Sequence, residues 1–354
     1  MISREKLATV DGLSSREAAR LLGVGKSTIN DARAYYMDED NTIEPAWPNV
    51  DRGQRVVVLN NDSTTDSRTG DWKVAVILPD PQIGYRQIDG KLEPFHDEAA
   101  MDVALQVTRY VQPDKIINIG DLLDLPAQSK YAQEPAFSLT TQHAIDRATE
   151  FLSVQRARNP DAEIVVMEGN HDVRLQNYIL ANARAAFGIK RGGATPGSWP
   201  VMSIPYLLRM DELNIKYIGG YPAGEYWINN NVRTIHGVKV ASGSSTASRY
   251  VNALPHVSTI FGHVHRLEVQ SRTVHDRMGA IGSFGISAGC LCRIDGAVPS
   301  MMGGIDSNGS PVRNIENWAQ GMVVVYYKDS GEFYFDVVQI HEGHALYHGL
   351  EFSA

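Results

Sequence analysis

Five short blocks follow one another in the middle of this 354-residue chain. They are Asp80-Pro81-Gln82, Gly120-Asp121-Leu122-Leu123-Asp124, Gly169-Asn170-His171-Asp172, Ile235-His236-Gly237 and Gly262-His263-Val264-His265. Together they carry carboxylates, amides and imidazoles, the oxygen and nitrogen donors that bind divalent cations. Two cations about 3.5–4 Å apart need a shared anionic ligand, and Asp121 is the natural one. Such a pair brings four positive charges, and Asp80 with Asp121 returns only two negative ones. The centre stays positive, as gripping a phosphate anion requires. The chemistry implied is metal-assisted phosphoester hydrolysis.

Other clusters fail on spacing. Gly25-Lys26-Ser27-Thr28 looks like the end of a phosphate-binding loop, but Arg20 stands where that loop needs glycine and no strand precedes it. His341, His344 and His348 miss the zinc pattern because Ala345 occupies the second histidine position. His96, His143, His256 and His275 read as surface or packing residues.

The elements that must position the blocks are legible from Lys73 onward. Val74–Leu78, Ile116–Ile119 and Ile164–Met167 read as buried strands, each ending just before a block. Helical stretches Glu98–Tyr110 and Thr141–Arg158 separate them, so the first half is βαβ-like. Ligands in open α/β sheets collect outside the carboxyl ends of strands. Later strands are expected at Val257–Phe261, Met322–Tyr327 and Glu332–Ile340, the last two joined through Lys328–Gly331. Arg293–Gln320 reads as a long loop bordering the site.

Residues 1–36 read as a small all-α unit. Ser14 and Glu17 form a capping box, and Leu13 and Ala18 are placed as a staple across it. A helix over Ser15–Leu22 breaks at Gly23-Val24-Gly25, and a second runs from Lys26 to Tyr35. Inward candidates are Ala18, Leu22, Val24, Ile29 and Ala32, a spacing that resembles a DNA-binding helix-turn-helix. Its exposed face would carry Lys26, Ser27, Asn30 and Arg33 towards DNA, with Asp31 working against it. Residues 37–72 read as linker, with one short strand at Val56–Leu59.

Composition narrows the class. At 43% hydrophobic residues a sizeable core is available, and a net charge of −8 argues against non-specific coating of nucleic acid. Met1–Asp11 has no apolar core, so no secretion signal is expected, and no run is long enough to span a membrane. Cys290 and Cys292 read as reduced residues on one face of a strand, which fits a cytoplasmic setting.

The ordered blocks from Asp80 to His265 resemble the calcineurin-like metallophosphoesterase family, in particular its repair-nuclease and phage phosphoesterase types. The resemblance implies a four-layer α-β-β-α sandwich of two mixed sheets over 73–354. It implies that Asp80, Gln82, Asp121 and His265 hold one metal ion, and Asp121, Asn170, His236 and His263 the other. His171 would serve the leaving group, Asp124 would orient it, and a hydroxide bridging the metals would attack phosphorus in line. The family's first block is Asp-x-His, and here it is Asp80-Pro81-Gln82. A neutral amide oxygen weakens that site and tilts it towards Mn²⁺ over Zn²⁺, with Mg²⁺ and Fe²⁺ also compatible.

The helix-turn-helix favours DNA as the partner, and homodimers are common among such proteins. Arg174, Arg184, Lys190 and Arg191 would line a strand path, with Tyr178 or Phe187 for stacking. The expected activity is a DNA-directed phosphodiesterase or nuclease. The alternatives are a phosphomonoesterase, or a DNA-binding regulator whose metal site has decayed at Gln82.

Overall fold

A computed structural model of the chain describes residues 6, 9–10, 14–26, 28–29, 70–130, 134–241, 245–277, 279–301 and 316–354. In chain order the strands are β1 (Lys73–Leu78), β2 (Tyr85–Ile88), β3 (Lys91–Pro94), β4 (Lys115–Asn118), β5 (Glu163–Met167), β6 (Ile215–Ile218), β7 (Glu225–Trp227) and β8 (Val232–Ile235). Then come β9 (Ser258–Phe261), β10 (Leu267–Asp276), β11 (Gly279–Ala288), β12 (Gln320–Tyr327), β13 (Phe333–Ile340), β14 (His344–Tyr347) and β15 (Leu350–Ser353).

Two mixed sheets dominate. The first has the order β13-β12-β1-β4-β5-β6, and the second β10-β11-β9-β8-β7. In the first, β1, β4, β5 and β6 run parallel, with Ile77 in register with Ile117 and Ile117 with Val165. In the second, β8, β9 and β11 run parallel. Alternate residues of both sheets meet in one core: Ala75, Ile77, Ile117 and Val165 from one, Val232, Ile260 and Ile286 from the other. Truncating Ile117 to alanine there should cost about 2–5 kcal/mol.

The outward-facing positions of β1, β4 and β5 are buried too, which is why these strands read as unbroken apolar runs. Helix Glu98–Val111 packs against β1 and β12. Helix Thr141–Arg158 is fixed to β4 by a reciprocal amide pair, Asn118 to Gln155, at 3.0 and 3.1 Å. Helix Thr246–Ala253 covers the second sheet, its Ala247 and Tyr250 packing with Phe261. The layer order is helix, sheet, sheet, helix. No described helix is long and apolar enough to cross a membrane.

The chain divides into two compact units, Met1–Arg55 and Val56–Ala354. In the first, helix Ser15–Leu22 carries the capping box: Ser14 Oγ accepts from the Glu17 N–H, and Glu17 Oε2 accepts from the Ser14 N–H at 3.1 Å. Gly23 ends it in the left-handed region at φ 66°. Ala18, Ala19 and Ile29 are buried, with Leu22 and Val24 packed on them. Lys26 is exposed. Leu13, Ser27, Asn30, Ala32 and Arg33 lie outside the described residues, and so does most of the expected second helix.

Cys290 and Cys292 are free and buried, but they lie beyond the end of β11 in isolated bridges to Gln320 and His96, not within a strand. Gly289, at φ 85°, turns the chain out of the ladder just before them.

Candidate metal centre

All five blocks stand at carboxyl ends of parallel strands: Asp80 after β1, Asp121 after β4, Asn170 after β5, His236 after β8 and His263 after β9. The two sheets thus face the site with the same end. Leaving a strand and turning a side chain back over its end demands unusual backbone. Asp80, Gln82, Asp121, His263 and His265 have φ of 41°, 47°, 49°, 69° and 55°, in the left-handed region that non-glycine residues rarely occupy. Such conformations cost about 1–3 kcal/mol each and cluster at functional sites.

The block glycines serve close approach. A Cβ on Gly262 would lie 2.2 Å from Asp80 Oδ2, and one on Gly169 2.2 Å from Asp121 Oδ1. Any side chain at either position would displace a carboxylate.

Two donor clusters share one residue. Asp80, Asp121 and His265 bring ligand atoms within 4.8 Å of one another, as do Asp121, His236 and His263. In the second, Asn170 Oδ1 lies 2.9 Å from His236 Nε2 and 2.8 Å from His263 Nδ1, while His236 Nε2 is 3.3 Å from Asp121 Oδ2. In the first, His265 Nε2 is 3.3 Å from Asp80 Oδ1 and 3.2 Å from the Gln82 amide. Neighbouring ligands on an octahedral ion with bonds of about 2.1 Å are about 3 Å apart, so these separations fit one ion in each cluster. Gln82 Oε1 is buried and has no hydrogen-bond partner among the described residues. Turning that amide over would put the oxygen, a ligand atom, next to His265. The donor set fits two divalent cations.

Orientation comes from outside the clusters. His236 Nδ1 faces the Ile119 carbonyl at 3.0 Å, so the neutral ring donates there and presents its Nε2 lone pair to the site. Asp80 accepts the His263 backbone N–H at 3.0 Å. The Trp318 ring packs on His265 at 4.0 Å between centroids, and Ala319 N–H donates to the His265 carbonyl. The end of the long loop therefore borders the site, as its composition implied. Residues 302–315 lie outside the described residues.

Electrostatics follows the carboxylates. Burial opposes charge on His236, but Asp121 outweighs it and lifts that imidazole to about 9. Burial and the neighbouring His236 push His263 down to about 4. Burial also opposes charge on Asp121, yet His236 and His171 hold its carboxyl well below the usual range.

His171 stands beside the clusters. Its Nδ1 is bonded to Asp124 Oδ1, and its Nε2 is 3.9 Å from Asp121 Oδ2. Its backbone N–H donates to Asp121 Oδ1 at 2.7 Å. Arg174 Nη1 reaches the same Asp124 oxygen at 2.8 Å.

Asp172 received no role from its place in the sequence. It is buried and accepts N–H groups from Gly169 (2.9 Å), Leu123 (3.0 Å) and Leu122 (3.4 Å), tying two blocks together. Burial and the Asp121 charge push its carboxyl up to about 7. Its presence in the same tetrapeptide as Asn170 was the only available signal.

Cys292 Sγ is 3.9 Å from His265 Nδ1, and with Cys290 it forms a third donor group around His265. Burial pushes the Cys292 thiol up, away from the thiolate a metal needs. Of the remaining histidines, His96 is fully buried, while His344 and His348 are exposed near the end of the chain. Tyr178, Arg184, Phe187 and Arg191 are exposed on and after helix Val173–Asn182, and Lys190 is half-buried with its Nζ on the Pro196 carbonyl.

No family model matches the chain. It is similar to the Gene 54 proteins of Mycobacterium phages D29 and L5. Identity is 26% over 205 residues and 24% over 207, covering 57% of this chain and 72% of each relative. Three solved structures align with low scores. Vps29 complexed with zinc from Entamoeba histolytica has a TM-score of 0.33 and 12% identity, covering 77% of this chain and 95% of its own. Yfce, a phosphoesterase from E. coli, has 0.28 and 11%, covering 76% and 100%. Purple acid phosphatase PPD1 from yellow lupin seeds has 0.36 and 12%, covering 77% and 52%. The chemistry of this chain rests on its own side chains.

Proposed function

We propose that this chain is a phosphoester hydrolase working with two divalent cations, and that DNA phosphodiesters are its substrate. The observation that carries the first part is the pair of donor clusters sharing Asp121, with His171 and Asp124 beside them. Asp80, Gln82, Asp121 and His265 would hold one cation, and Asp121, Asn170, His236 and His263 the other. Bound there, the cations supply positive charge to the phosphate and bring the pKa of water down towards neutrality.

The chain's own groups then place the substrate. His171, held by Asp124, faces the side where a leaving oxygen departs and delivers a proton to it. Gln82 offers oxygen where imidazole would select zinc, so Mn²⁺ is the favoured metal.

The DNA reading is supported by the capped N-terminal helix with its buried Ala18 and Ile29, which fits half of a helix-turn-helix. It is also supported by the exposed Tyr178, Arg184, Phe187 and Arg191, of the types that stack bases and meet phosphates. Helix Val173–Asn182 starts beside His171, so that surface begins at the site.

The test is cleavage of labelled single-stranded and duplex DNA by metal-stripped protein with Mn²⁺ restored, beside Asn170→Ala. Mn²⁺-dependent cleavage lost in the variant is expected. Full activity in the presence of chelator would sink the metal reading. Hydrolysis of p-nitrophenyl phosphate with DNA left intact would make it a phosphomonoesterase. If no ester were cleaved and DNA binding vanished on deletion of residues 1–36, the regulatory reading would stand.

A further inference from the structure

We infer that Arg174 is a catalytic residue that donates to the departing oxygen of the phosphoester, an assignment that rests on the hydrolase reading above. Its Nη1 is fixed by two acceptors, the Asp124 carbonyl at 2.7 Å and Asp124 Oδ1 at 2.8 Å. With one arm of the planar fork tied down, the other has a set direction. That arm, Nη2, lies 3.2 Å from His171 Nε2.

The imidazole decides what this contact means. His171 Nδ1 is bonded to Asp124, so in the neutral ring Nδ1 carries the proton and Nε2 is an acceptor. The donor facing it is Arg174 Nη2. His171 Nε2 is also 3.9 Å from Asp121 Oδ2, the carboxylate shared by both clusters. Nη2 therefore stands at the edge of the site, where the leaving oxygen must be met.

A buried structural arginine would spend both arms on fixed acceptors. Here the second arm meets a ring nitrogen that substrate chemistry must itself engage. The Arg174 side chain is 17% exposed, enough to open onto the site while Asp124 is fully covered.

In the step, water adds to phosphorus and the P–O bond to the leaving group breaks with its electron pair on that oxygen. The doubly protonated His171 ring gives that oxygen its Nε2 proton and is left in the neutral form that Arg174 Nη2 faces, while the attacking water releases its proton to solvent. Arg174 keeps all its protons and stabilises the developing charge by a hydrogen bond.

The test is the dependence of rate on the leaving group. Aryl and alkyl phosphodiesters from p-nitrophenolate to simple alkoxides are hydrolysed with Mn²⁺ by the wild type, Arg174→Ala and Arg174→Lys. Mn²⁺ content per chain is measured in parallel. For Arg174→Ala the loss is expected to grow from a few-fold with p-nitrophenolate to about 10²–10³-fold with the poorest leaving groups, at unchanged Mn²⁺ content. Arg174→Lys places one ammonium where two arms are needed, so it shows the same trend with a smaller slope. An equal loss across all leaving groups in both variants would overturn the inference and leave the hydrolase reading intact. Absence of Mn²⁺-dependent hydrolysis in the wild type would overturn both.

Discussion

Two clusters of carboxylate and imidazole lie in the larger unit, and they are wired in opposite ways. Around Glu98, every charged group meets its complement. Arg147 Nε and His96 Nε2 both lie 2.9 Å from Glu98 Oε1, and Arg147 Nη2 lies 2.6 Å from Oε2. Burial pushes the His96 pKa down, against the pull of Glu98. Around Asp121, carboxylate oxygens, an amide oxygen and imidazole nitrogens converge on one another, and Gln82 Oε1 has no partner among the described residues. A carboxylate with both oxygens taken by the protein's own donors acts as scaffold. A convergence of acceptors calls for cations from outside.

The largest expected effect breaks the second cluster at its shared member. Asp121→Ala should abolish binding of both Mn²⁺ ions and lower hydrolysis beyond the about 10²–10³-fold that loss of one electrostatic donor costs. Titration calorimetry and steady-state rates on a diester check it. His171→Asn should lower the rate by about 10²–10⁴-fold while both ions stay bound, separating proton delivery from metal binding. Gln82→His sharpens the contrast between the two ion sites. It should strengthen the weaker one and shift preference from Mn²⁺ to Zn²⁺, read from competition binding.

The Glu98 cluster should respond in stability alone. Arg147→Met removes charge-assisted bonds to a half-exposed carboxylate and should cost about 1–2 kcal/mol by urea unfolding, with Mn²⁺ affinity unchanged. The smallest effect is in pH. Burial works against the Glu98 charge, but Arg147 and His96 hold its carboxyl well below the usual range. A depressed folded pKa gives stability that is full above the unfolded value of about 4.3 and lost as pH falls through the folded value. The stability gap between wild type and Glu98→Gln should therefore narrow from pH 6 to pH 3. A gap that widened on acidification would contradict this wiring.

The sequence displayed the site more fully than the frame around it. β1, β4 and β5 were visible because both their faces are buried, which leaves uninterrupted β-branched runs. β10 was not, because both its faces are open to solvent around Gln270, Ser271 and Arg272, which leaves no apolar alternation. β11 was hidden by its glycines, and Gly285 has a packing reason. A Cβ there would lie 2.3 Å from the Ala247 carbonyl of the helix that covers the sheet. The five left-handed site residues were illegible because aspartate, glutamine and histidine carry no turn signature of the kind glycine does. Asp124 was legible as a partner of His171 only through its family resemblance. Arg174 was legible only as part of a basic path for a DNA strand, since the bond that aims it joins chain segments 50 residues apart.

The most direct measurement is anomalous scattering from crystals equilibrated with Mn²⁺. Two peaks about 3.5–4 Å apart on either side of the Asp121 carboxylate are expected. One should be bounded by Asp80 and His265, the other by Asn170, His236 and His263. No peak, or a lone ion that leaves Asp121 unligated, would contradict the shared-carboxylate centre on which the account rests.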